Sequence, residues 1–234
     1  MTESTIANKI RKLLTLADGN QNEHERDAAM KLAMELLSKH NLDLDTIGDE
    51  SRDIDVHEIE VFLKLEPWIR AVLHAACKLY YTRYFMRPVY RGYYGDRKEW
   101  HPTFVGTREN ITVTLDVASW LLNSIRNESN WLFSEPYERR SFRLGAAHKL
   151  YQRACILIEE ESANSAHSSK NSLMLVRNNL EKANADHVAK MGLKQFNSRG
   201  SYYDGNAYGM GESFGNSVNL GRSATKLKAI TARG

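Results

Sequence analysis

The sequence predicts a mainly helical α+β protein: a helical hairpin, then a small antiparallel sheet covered by helices. Three observations carry that expectation. Long stretches repeat their apolar residues with helical spacing, as in Ile6, Ile10, Leu13, Leu14 and Ala17. One short stretch, Asp55 to Val61, alternates polar and apolar residues as a half-buried strand does. Two further extended stretches flank a turn-forming segment, Arg91-Gly92-Tyr93-Tyr94-Gly95-Asp96.

The first helix spans about 5–17 and stops at Asp18-Gly19-Asn20. Asn22-Glu23-His24-Glu25 reads as a capping box, in which Asn22 accepts from free backbone N–H groups and Glu25 reaches back. The second helix runs to about His40 with Ala29, Leu32, Ala33, Leu36 and Leu37 inward. A loop this short makes the pair antiparallel, and a core this small needs support from the rest of the chain. Residues 41–53 form an acidic linker, and the alternating strand comes next. A helix from Glu66 puts Trp68, Val72, Ala76 and Leu79 on one face. Strands are expected at Tyr84–Tyr90 and Trp100–Val105, and Thr107 is the expected N-cap of a helix through Ile111, Leu115, Ala118, Leu121, Leu122 and Ile125. Residues 127–138 read as loop and 139–161 as helix. A Ser/Asn/Ala-rich linker over 162–171, a polar helix over 172–196 and a last helix over 205–220 complete the chain. The expected units are 1–45, 54–162, 172–221 and a basic tail, 222–234.

Composition bounds the class. The 234 residues include 42% hydrophobic and 26% charged, which suits a globular core without metal or disulfide support. Cys77 and Cys155 each lie in an apolar helical register and read as small buried side chains. With no signal-like start and no long apolar run, a cytoplasm is the expected compartment and no membrane partner is expected.

The net charge of +3 is small, but its distribution is segregated. Residues 41–66 carry nine acids against Arg52 and Lys64, whereas 80–101 carry Arg83, Arg87, Arg91, Arg97 and Lys98 against Asp96 and Glu99. Segregated charge suggests one charged working face.

Catalytic motifs are not recognised. There is no His-Glu-x-x-His, no Gly-x-Ser-x-Gly and no Cys-x-x-Cys, so neither a metal nor a cofactor is expected. His74 and His148, each within an apolar helix, read as hydrogen-bonded packing residues. Gly209 to Gly215 has neither a dinucleotide fingerprint nor a phosphate loop. Ala207, Gly211 and Gly215 are spaced by four and form a stripe on which another backbone can lie. That neighbour is a helix of the same chain, a partner, or a bound phosphate.

The least ordinary segment is residues 80–94, which holds six of the 11 tyrosines interleaved with arginines. Aromatic faces stack on bases and guanidinium groups pair with phosphates. Protein interfaces favour the same residues. The candidate binding residues are Arg83, Arg87, Arg91, Tyr84, Tyr90, Tyr93 and Tyr94, for nucleic acid or a protein partner. The third alternative is a sheet with tyrosines packed inside and arginines outside. Residues two apart on a strand share a face, so Tyr84 and Tyr90 belong to one face and Arg83, Arg87 and Arg91 to the other.

Lys9-Ile10-Arg11-Lys12-Leu13-Leu14-Thr15-Leu16-Ala17, Asn22-Glu23-His24-Glu25 and Leu37-Ser38-Lys39-His40-Asn41-Leu42-Asp43 together resemble an uncharacterised family. It occurs in bacteriophages, prophages and bacterial genomes. Phe104-Val105-Gly106, Ser141-Phe142-Arg143-Leu144-Gly145 and Ala207 to Leu220 look like the second domain that often accompanies it. The resemblance implies a phage or mobile-element setting in a bacterial cytoplasm. Roles in DNA metabolism or in blocking a host defence or repair factor are common there. It implies no site residues. The expected role is therefore a non-enzymatic binder of nucleic acid, with a host-protein binder as the alternative and an enzyme with an unrecognised site as the third. Self-association is left open.

Overall fold

The computed structural model describes residues 55–61, 63, 66–91, 97–165, 171–193, 202–218 and 220, together with Lys9, Lys12, Leu13, Leu32 and Leu36. Most of the expected hairpin, including Ile10 and Leu14, lies outside the described residues, as do Tyr93, Tyr94 and the basic tail. The elements are β1 (His57–Glu60), α1 (Pro67–Leu79), β2 (Arg83–Arg91), β3 (Arg97–Gly106), α2 (Arg108–Leu132), α3 (Pro136–Ser165), α4 (Asn171–Lys190) and α5 (Gly205–Ser217). The fold is mainly helical α+β with a three-stranded antiparallel sheet in the order β1-β3-β2.

Helix α1 is the centre of the core. Pro67 begins it, where a missing N–H costs nothing. Its sequence is apolar on nearly every side, so Trp68, Ile69, Val72, Leu73, Ala75, Ala76, Cys77 and Leu79 are all buried. The sheet, α2 and α3 share that burial. Burying each large apolar side chain is worth about 1.5–3 kcal/mol before entropy is charged. The helix ends at Tyr80, and Tyr81 takes a left-handed φ of 55° that turns the chain into β2. Asn184 of α4 donates to the Tyr81 carbonyl at 2.7 Å and so fastens this strained turn.

Helix α5 lies along α3 at backbone contact. A Cβ on Gly211 would collide with the Phe142 carbonyl oxygen, and one on Gly215 would sit 2.6 Å from that of Ala146. Gly145 answers from α3, since a Cβ there would collide with the Tyr208 carbonyl oxygen. The stripe of Ala207, Gly211 and Gly215 is therefore occupied by this chain's own helix. Asp204 caps α5 by accepting from the Ala207 N–H at 2.8 Å, and Arg153 donates to the carbonyls of Gly215 and Val218 at the other end.

Three expectations are corrected. The stretch 127–138 is helical apart from residues 133–135. Its polar residues read as loop, but Ser129 is fully buried, donates to the Arg126 carbonyl and accepts from Arg143 Nε at 2.7 Å. A polar helical face is satisfied by a neighbouring helix rather than by water. Helix α3 also continues to Ser165, past the expected helix end at about 161. Helix α4 ends at Lys190 rather than at 196, because the chain turns there with Gly192 at a φ of 60°. Among the described residues, no helix is long and apolar enough to cross a membrane.

Candidate nucleic-acid interface

The β2–β3 hairpin is longer than the sheet it belongs to, because β1 spans only four residues. Its register sorts the side chains into two faces. Tyr84 lies opposite Phe104, Met86 opposite Pro102, Pro88 opposite Trp100 and Tyr90 opposite Lys98. The Tyr84 end of this face packs on α1. Tyr84 is half-buried, its ring centroid is 5.7 Å from Phe104 and 4.9 Å from His74, and its hydroxyl hydrogen-bonds His74 Nε2 at 3.1 Å. Burial pushes the Tyr84 hydroxyl well above the ordinary tyrosine range, so it stays protonated and serves packing. Tyr84 is therefore not part of an exposed platform.

The far end of the same face is open. Tyr90 is 62% exposed and Trp100 is 50% exposed. The Lys98 ammonium lies over both rings, 4.6 Å from the Trp100 centroid and 5.9 Å from the Tyr90 centroid. No carboxylate occurs among the strand residues of this face. This end of the face thus presents two aromatic rings and one cation.

The opposite face is acidic as well as basic. It carries Arg83, Phe85, Arg87 and Val89 of β2, Thr103, His101 and Glu99 of β3, and Glu58 and Glu60 of β1. Glu58 accepts from Arg87 at 2.6 Å and pairs with His187 of α4 at 2.9 Å. The His187 hydrogen bond, aided by Arg87, holds the Glu58 carboxyl below the usual carboxylate range. Glu99 lies 3.3 Å from His101. Arg87 is therefore engaged within the fold, and Arg83 and Arg87 point away from Tyr90. Arg91 ends β2 opposite Arg97. Of the seven residues singled out in the sequence, only Tyr90 has a described side chain on the open aromatic surface. Trp100 and Lys98 belong there too, and the signal for them is cross-strand register rather than local composition.

A second aromatic cluster lies at the α2–α3 corner. Trp131 is 81% and Tyr202 93% exposed, and Tyr137 and Tyr203 are about half exposed. Ser141 ties the corner together by donating to the Tyr137 carbonyl and accepting from the Asp204 N–H at 2.8 Å. Tyr203 stacks on Tyr208 at 4.4 Å between centroids, and Tyr208 in turn hydrogen-bonds His148 at 3.0 Å. Among the described residues, no group of three or more His, Cys, Asp or Glu side chains is placed to hold a metal ion.

Residues 5–44 match a family described as a protein of unknown function, DUF2786. No curated protein and no solved structure matches the chain. The matched segment includes Leu13 and Leu36, both packed against the core. It does not include the β2–β3 hairpin.

Proposed function

We propose that this chain is a non-enzymatic binding protein of a phage or mobile element, working in a bacterial cytoplasm and acting on nucleic acid through Tyr90, Lys98 and Trp100 on strands β2 and β3. One observation carries the reading: Tyr90 and Trp100 stand exposed on one face with Lys98 over them and no carboxylate among that face's strand residues. Exposed rings gain from stacking on bases, and the cation gains from phosphate. The setting rests on the resemblance of the N-terminal segment.

Fluorescence anisotropy of a labelled oligonucleotide tests it. Affinity should fall steeply as salt rises, because each neutralised phosphate releases counterions. Tyr90→Ala should weaken binding without changing the fold. Absence of binding above background at low salt would overturn the proposal.

The α2–α3 corner favours a second reading, a host-protein binder such as an inhibitor of a defence or repair factor. Exposed Trp and Tyr side chains are the residues that anchor protein interfaces. A host protein retained in high salt after nuclease treatment, and lost in Trp131→Ala, would support that reading.

A further inference from the structure

We infer that the strand taken by the hairpin is unpaired, with neighbouring bases on Tyr90 and Trp100 and a phosphate on Lys98. This rests on the nucleic-acid reading of the same surface.

A ring can stack only on a base whose own face is open, and in a duplex those faces are covered by neighbouring base pairs. Tyr90 lies opposite Lys98, and Trp100 is two residues further along the same strand as Lys98. That diagonal placement puts Tyr90 and Trp100 roughly 7–8 Å apart, with their Cβ atoms somewhat closer. Two neighbouring bases of an extended strand can reach both rings.

In the free protein the Lys98 ammonium lies near both rings, and neither ring is packed into the core. A long flexible side chain releases a ring face readily, and the ammonium gains a phosphate as it leaves. The same three side chains thus serve the base and the backbone of one strand.

The back of the hairpin points the same way. Glu58, Glu60 and Glu99 occupy the opposite face, and Arg87 is committed to Glu58. A strand on the Tyr90 face stays clear of these acids. A duplex has a second phosphate backbone, and any wrapping around the hairpin brings it toward them.

The test compares unpaired DNA, unpaired RNA and duplex DNA of equal length in salt titrations, with wild type, Trp100→Ala, Tyr90→Ala and Lys98→Met. Circular dichroism confirms that each variant is folded. At moderate salt the unpaired strands should bind about tenfold or more tighter than duplex. Trp100→Ala and Tyr90→Ala should each weaken unpaired-strand binding on the order of tenfold to a hundredfold, with little change in salt slope. Lys98→Met should lower the log–log slope by about 0.7. Duplex binding equal to or tighter than unpaired binding overturns this inference and leaves the nucleic-acid reading standing. Aromatic variants that lose nothing on unpaired strands also overturn it. Binding to none of the three overturns both.

Discussion

At the scale of single residues, the close approach of α5 to α3 gives the sharpest stability test. Gly211 and Gly209 lie on the same helix, but a Cβ on Gly211 meets the Phe142 carbonyl whereas one on Gly209 meets nothing within 4 Å. Gly211→Ala should destabilise by about 1–3 kcal/mol, the usual cost of overpacking. Gly209→Ala should instead stabilise by up to about 1 kcal/mol, because alanine is the better helix former. Thermal unfolding of the pair checks it, and a Gly211→Ala variant as stable as wild type or more so would refute close packing at Gly211. The cysteines offer another contrast. Burial pushes the Cys77 thiol up to about 12, while Cys155 is half-exposed. A thiol reagent at mild alkaline pH should modify Cys155 in the native protein and reach Cys77 only after unfolding. The four-residue glycine spacing is legible in the sequence as a stripe for close contact. Its occupant is not, because Gly145 is distant in sequence and meets the stripe only through the fold.

Among elements, α4 meets the sheet at β2 and β3, and His187 of α4 also hydrogen-bonds Glu58 of β1 at 2.9 Å. The Glu58 pKa is depressed on folding, so its contribution is present above the ordinary value of 4.5 and is lost as pH falls through the lower folded value. Stability of wild type and Glu58→Gln should therefore differ at neutral pH and converge in acid. A difference that persists at acidic pH would show that Glu58 acts by packing alone. The strands and most helices are legible from periodicity, since alternating and helical patterns belong to different faces. The helical run through Asn127 and Asn130 is not. Local polarity there suggests a loop, yet Asn130 accepts from Arg143 Nη2 at 2.8 Å, a contact made between helices. Trp100 and Lys98 escape a sequence reading for a related reason. Tyrosine density marks residues 80–94, but the pairing of Tyr90 with Lys98 depends on a register that the turn sequence alone does not specify.

For the whole molecule, Leu13 and Leu36 of the N-terminal segment are packed against the core. Leu32 is 47% exposed. Leu36→Ala should cost about 2 kcal/mol in chemical denaturation, the lower range for a leucine truncated in a core, and Leu32→Ala clearly less. Equal effects would mean that the segment packs by a different face. The Tyr90–Trp100 surface and the α2–α3 corner are two separate aromatic surfaces, of which the first is the one proposed to take nucleic acid. Photo-crosslinking to an unpaired oligonucleotide, with peptide mapping of the adducts, tests that assignment most directly. Crosslinks should fall on the segments carrying Tyr90 and Trp100 and should disappear in the double alanine variant. Crosslinks confined to Trp131, Tyr137 or Tyr202 would contradict it.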